Sequence, residues 1–121
     1  MNPTIAIAIF GALGAISRFL IGAAIQRHAI ESQFPWGTFV VNVAGAFALG
    51  FVLTALPKGS IWPIAIGTGF LGSFTTVSTF SYETVVLLRE GLVTTAAMYV
   101  TASLALAVVA VLIGVWLGSH V

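Results

Sequence analysis

The chain has 121 residues, of which 60% are hydrophobic and only 6% are charged, and its formal net charge is +1. Soluble domains carry about 25% charged residues, so this composition excludes an ordinary soluble domain. The absence of cysteine excludes disulfides and thiolate metal sites. Because the net charge is so small, nucleic acid is not expected as a partner.

Charged residues are separated by long apolar intervals. No charge lies between Glu31 and Lys58, between Lys58 and Glu83, or after Glu90. A helix needs about 20 apolar residues to cross a bilayer. These three intervals and the stretch before Arg27 therefore predict an all-α membrane protein with four transmembrane helices. We place the helices, within one domain covering 1–121, at residues 4–26, 36–56, 61–88 and 92–117.

The third predicted helix is unusually long and polar. Its roughly 28 residues would reach about 42 Å as one helix, against a hydrocarbon core of about 30 Å. The segment GSFTTVSTFSYE, residues 72–83, carries seven hydroxyl groups and follows Gly67 and Gly69. Glycine weakens a helix interior, and Ser and Thr offer the backbone other hydrogen bonds. This pattern predicts a break between Gly72 and Ser78. A tilted, unbroken helix is the alternative.

Polar side chains inside the spans are candidates for contact with a permeating ion, because polar groups are costly there. Asn42 lies in the middle of its span, where its amide could donate to an anion or hold two helices together. Arg18 could extend to the interface or attract anions. Glu83 is deeper than Glu90 and is expected to be paired or at a vestibule. Phe80 could present its positive ring edge to an anion.

Two features suggest that several copies assemble. Four short helices enclose little room for a pathway. Lys58 lies on one side of the membrane, and Arg27 and Arg89 lie on the other, so the charges give only a slight orientation bias. The charges are therefore compatible with insertion in both orientations, and insertion in a single orientation is the alternative. Small residues spaced four apart allow helices to approach closely. These pairs are Gly11 and Ala15, Ala46 and Gly50, and Gly114 and Gly118.

Three segments together resemble the Fluc family of small bacterial fluoride channels, also called the CrcB family. They are GALGAISRFLIG, WGTFVVNVAGAFALGF and GFLGSFTTVSTFSYE, one in each of the first three spans, and AAMYVTASL in the fourth fits more loosely. The resemblance implies an antiparallel dual-topology homodimer with two fluoride pores in the bacterial inner membrane. It also implies that cytoplasmic fluoride leaves the cell passively through these pores.

The resemblance assigns roles to individual residues. It implies a structural sodium ion at the centre of the dimer, held by the backbone carbonyls of Gly72 and Thr75 and not transported. The family motif TTFSTF reads TTVSTF here, so Val77 replaces one of two pore phenylalanines, and Ala107 stands where relatives often carry a hydroxyl. One aromatic anion contact is therefore missing or comes from a different partner chain. The candidate pore residues are Arg18, Asn42, Thr76, Val77, Thr79, Phe80, Glu83, Tyr99 and Ser103.

Two other functions are compatible with four short helices. A small proton-coupled multidrug antiporter needs a carboxylate in its first span, but residues 4–26 contain only the cationic Arg18. A non-conducting subunit would use Asn42 and the hydroxyl cluster only to hold helices together. No nucleophile–base arrangement, metal-ligand cluster or phosphate loop is evident, so an enzyme is not expected.

Overall fold

The computed structural model covers the whole chain and consists of helices joined by short connections. Residues Pro63–Leu71 form a π-helix that continues into one α-turn, Gly72–Phe74, and we call these two segments together α3. The other helices are α1, Pro3–His28; α2, Trp36–Ala55; α4, Val77–Arg89; and α5, Val93–Gly118. Helices α1, α2 and α5 are long and apolar enough to cross a membrane. The chain is therefore a multi-pass membrane protein.

The third predicted span is two helices joined by a short extended segment. Helix α3 ends at Phe74, and the backbone φ and ψ angles are −86° and 156° at Thr75 and −150° and 121° at Thr76. Helix α4 then begins at Val77, where the Thr76 hydroxyl accepts a hydrogen bond from Thr79 N–H at 3.2 Å. The predicted break is present, and the alternative of an unbroken helix is wrong.

The π-helical winding of α3 is a feature that the sequence did not predict. Its hydrogen bonds reach one residue further than in an α-helix, so Gly72 N–H bonds to the Gly67 carbonyl. Gly67 and Gly69 are buried on this segment. A Cβ atom on Gly69 would lie 3.1 Å from Phe10 Cβ on α1. Because Gly67 and Gly69 have no side chains, the backbone of α3 lies directly against the neighbouring helices.

Glycine also allows α2 and α5 to pack closely. A Cβ atom on Gly118 would lie 2.8 Å from the Phe51 carbonyl oxygen, and one on Gly114 would overlap the Phe47 carbonyl. Gly50 faces the backbone of Val111 in the same way. Small residues permit such backbone contacts between helices. Gly50, Gly114 and Gly118, which belong to the small-residue pairs in the sequence, therefore make helix–helix contacts within one chain.

The outer surface of the bundle is apolar. Only 19 of 121 residues are buried, and large side chains such as Phe19 and Leu112 are 73% and 62% exposed. A water-soluble protein buries most side chains of this kind. The exposed apolar surface fits contact with lipid.

Candidate functional site

A single side chain on α2 binds the break between α3 and α4. Asn42 Nδ2 donates to the Thr76 carbonyl at 3.0 Å, and Thr76 N–H donates to Asn42 Oδ1 at 2.8 Å. The extended backbone at Thr76 has no helical partners, and unpaired backbone groups are costly away from water. The Asn42 amide therefore replaces the missing backbone bonds. The helix-holding alternative for Asn42 is present in the structure, and one amide N–H remains for another acceptor.

The break redirects the hydrogen bonds that a continuous helix would make. The helical donor for the Gly72 carbonyl would be Thr76 N–H, which donates to Asn42 instead. The helical donor for the Thr75 carbonyl would be Thr79 N–H, which donates to the Thr76 hydroxyl. Both carbonyls that the resemblance assigns to sodium therefore lose their helical donors.

Arg18 binds the same break from α1. Its Nε donates to the Ser73 carbonyl at 3.1 Å, and the side chain is half-buried. It does not simply extend to the surface. Arg18 instead lines a cleft of about 290 Å³ between α1, α2 and the start of α4. The candidate residues that line this cleft are Arg18, Thr76, Thr79 and Glu83.

Glu83 accepts hydrogen bonds at both carboxylate oxygens. The Tyr99 hydroxyl donates to Oε1 at 2.8 Å, and the Thr38 hydroxyl donates to Oε2 at 3.1 Å. Buried charge is costly without such donors. The expectation that Glu83 is paired or at a vestibule agrees with this position. Sequence reasoning missed Thr38, although it lies four residues before Asn42 and therefore on the same face of α2.

A second cavity, a groove of about 310 Å³, lies between α2, α4 and α5. Thr76 lines both cavities and is therefore the point where they meet. The Ser103 hydroxyl is buried and has no hydrogen-bond partner. The Val77 side chain is 77% exposed, so its missing ring leaves open space. The candidate residues that line the groove are Asn42, Thr75, Thr76, Val77, Phe80 and Ser103, together with Ala107.

Tyr99 connects the two cavities without lining either. Its side chain is completely buried on α5, its hydroxyl binds Glu83 in the cleft, and its ring centroid lies 5.0 Å from that of Phe80 in the groove. Eight of the nine candidate pore residues thus line one or both cavities, and Tyr99 contacts a wall residue of each. Gly72 lines neither cavity.

Known proteins similar to this chain agree on one family. Residues 5–115 match the family described as "CrcB-like protein, Camphor Resistance (CrcB)". A protein of Acidobacterium capsulatum called "Fluoride-specific ion channel FluC" is 41% identical over 95% of this chain and 94% of its own length. A protein of the same name from Geobacter sulfurreducens is 42% identical over 98% of this chain and 94% of its own length. One from Opitutus terrae is 44% identical over 98% of this chain and 90% of its own length. The chain belongs to the CrcB family.

Proposed function

We propose that this protein is a fluoride channel that passively exports cytoplasmic fluoride and lowers its concentration in the cell. The observation that carries the proposal is the similarity to proteins named fluoride-specific ion channels, at 41–42% identity over nearly the whole chain. An ion channel is not an enzyme. A multidrug antiporter is not favoured, because α1 lacks a carboxylate.

The two cavities suggest a route for the anion. It would enter the cleft beside Arg18, pass Thr76 where the cavities meet, and continue along the groove past Phe80. The cleft offers the positive charge of Arg18 and hydroxyl donors beside the Glu83 carboxylate, and the groove offers a ring edge. Successive weak contacts allow an ion to enter and also to leave.

The strongest support for anion contact in the groove is Ser103. Its hydroxyl is buried, yet nothing in the chain pairs with it. A buried polar group without a partner costs about 1–3 kcal/mol, so such groups are rare in folded proteins. A fluoride ion in the groove would accept a hydrogen bond from Ser103, and Asn42, which keeps one unused N–H, lines the same groove from α2.

The break supports the proposal of a structural sodium ion. Sodium is a hard cation that prefers oxygen ligands, by analogy with other hard cations. The Gly72 and Thr75 carbonyls have lost their helical donors to Asn42 and to the Thr76 hydroxyl. They could hold the ion together with the same carbonyls of a second copy. Sodium would brace the dimer and take no part in conduction.

The dimer and its location are also part of the proposal. The groove is open where Val77 is 77% exposed, and a second copy inserted in the opposite orientation would close it. All the named relatives are proteins of bacteria with channel names. We therefore place the dimer in the bacterial inner membrane, with lipid around the apolar outer surface.

The test is fluoride efflux from liposomes that contain the purified chain alone, followed with a fluoride electrode and run against chloride. We expect rapid efflux that is selective for fluoride. Thr54→Val serves as the control variant, because the Thr54 hydroxyl bonds only within α2 and lines neither cavity. It should conduct like the original chain.

Two results would contradict a self-sufficient channel. Absence of efflux from a folded dimer, restored by Val77→Phe, would place the defect at the missing ring. Absence of efflux that Val77→Phe does not restore would favour a subunit that needs a different partner chain.

A further inference from the structure

Phe34 lies at one end of a row of aromatic rings that reaches the groove. It belongs to the connection between α1 and α2, and its ring centroid lies 5.3 Å from that of Tyr99 at an interplanar angle of 83°. Tyr99 in turn lies 5.0 Å from Phe80 at 52°. These distances are in the range of favourable aromatic pairs. Three rings therefore connect a loop to a candidate pore residue.

The loop holds Phe34 in a fixed position. Phe34 N–H donates to the Ser32 hydroxyl at 3.3 Å, and the Phe34 carbonyl accepts from Trp36 N–H at 2.8 Å. Trp36 Nε1 also donates to the Ser32 hydroxyl, at 3.2 Å. The Phe34 ring packs against the rings of Trp36 and Phe39 at 4.5 and 5.4 Å. Neither its backbone nor its ring is free to move independently.

Tyr99 depends on Phe34 for one of its ring contacts. Tyr99 is completely buried, and its hydroxyl is held by Glu83. That hydrogen bond fixes the position of the oxygen but not the rotation of the ring about its long axis. Phe34 and Phe80 are the rings that contact Tyr99. Without Phe34, the Tyr99 ring would gain space to rotate and would no longer hold Phe80 in one orientation.

We propose that Phe34 is a positioning residue that fixes Tyr99 and, through it, the orientation of the Phe80 ring edge. The inference rests on the proposed function, because it assigns Phe34 a part in fluoride selectivity. Phe34 lines neither the cleft nor the groove, so it cannot act by touching the ion there. Phe10 on α1 is a matched comparison, because it is half-buried like Phe34 and its ring pairs with Trp62, not with Phe34, Tyr99 or Phe80.

The first experiment follows the Tyr99 ring directly and does not depend on conduction. The chain has two tyrosines, so ¹³C labelling of tyrosine rings gives two sets of NMR signals, and Tyr82→Phe identifies that of Tyr99. We expect Phe34→Leu to make the Tyr99 ring flip about two- to tenfold faster, since it removes a favourable aromatic pair. Phe10→Leu should leave the flip rate unchanged. Equal flip rates in the two variants would overturn the proposal.

The second experiment measures the ratio of fluoride to chloride efflux from liposomes. Phe34→Leu should lower this ratio by about two- to tenfold, the effect of losing one aromatic pair, while Phe10→Leu retains it. A faster Tyr99 ring with an unchanged ratio would overturn the selectivity role. If Phe34→Leu does not fold, Phe34→Ile gives the same comparison. No fluoride efflux from the original chain would contradict a self-sufficient channel, whereas the ring-flip experiment would still test Phe34.

Discussion

Asn42 is predicted to stabilise the fold by binding both backbone groups of Thr76. The change to make is Asn42→Leu, which keeps the approximate size of the side chain and removes its amide. Both hydrogen bonds, of 3.0 and 2.8 Å, are then lost. The Thr76 N–H and carbonyl are left without partners in an extended segment where no helical bond can replace them.

The expected loss of stability follows from these two bonds. Hydrogen bonds between membrane helices contribute about 0.6 kcal/mol each on average, which gives a lower limit of about 1.2 kcal/mol. Two backbone groups left unpaired and fully desolvated would cost about 2–6 kcal/mol. Thr76 is half-buried and lines both cavities, so water reaches it. We therefore expect the free energy of unfolding to fall by about 1–3 kcal/mol.

The assay is equilibrium unfolding in detergent micelles, followed by the helical circular dichroism of the chain. Thr54→Val on the same helix is the control, because the Thr54 hydroxyl bonds only to the Gly50 carbonyl within α2. It should change the free energy of unfolding by less than about 0.5 kcal/mol. If Asn42→Leu were as stable as Thr54→Val, Asn42 would not hold the break.

Three further changes test the cavities and the packing around them. Val77→Phe should raise fluoride efflux from liposomes by about two- to fivefold, because it adds one weak ring-edge contact in open space; slower efflux would contradict this placement. Ser103→Ala should raise the free energy of unfolding by about 1 kcal/mol and yet slow fluoride efflux, because it removes a buried hydroxyl that has no partner in the chain and that the proposed route assigns to the ion. Efflux equal to that of the original chain would remove Ser103 from the pathway. Gly14→Ala should lower the free energy of unfolding by about 1–3 kcal/mol, because the added methyl group would overlap the Phe70 carbonyl. If the midpoint temperature of unfolding in detergent did not change, α1 and α3 would be able to move apart without a cost in free energy.

Side chains from two neighbouring helices bind the break. Arg18 on α1 and Asn42 on α2 each bind one of its carbonyls, so the break is fixed between two helices that cross the membrane. The same two side chains line the cleft and the groove, respectively. A change at either residue should therefore alter both stability and conduction. Unfolding measurements are needed beside every efflux measurement at these positions.

The sequence by itself determined the class of protein, and it predicted where a break would lie while leaving an unbroken helix as the alternative. Charges spaced too far apart for a soluble surface require a bilayer, since about 20 apolar residues cross it. The sequence GSFTTVSTF predicted the break, because glycine and hydroxyl side chains weaken the local helix. These are properties of neighbouring residues, and no tertiary contact is needed to see them. The quoted segments also carried the resemblance to the CrcB family.

Only the tertiary structure decided what the polar residues bind. Asn42 and Thr76 are 34 residues apart in the chain, and Thr38 and Glu83 are 45 apart. The sequence left Asn42 between two interpretations, because an amide can serve a helix or an ion equally well. The sequence also did not predict the π-helical winding of α3, whose Gly69 packs against Phe10 on α1. Helix packing brings these distant residues together, and local sequence patterns do not encode that packing.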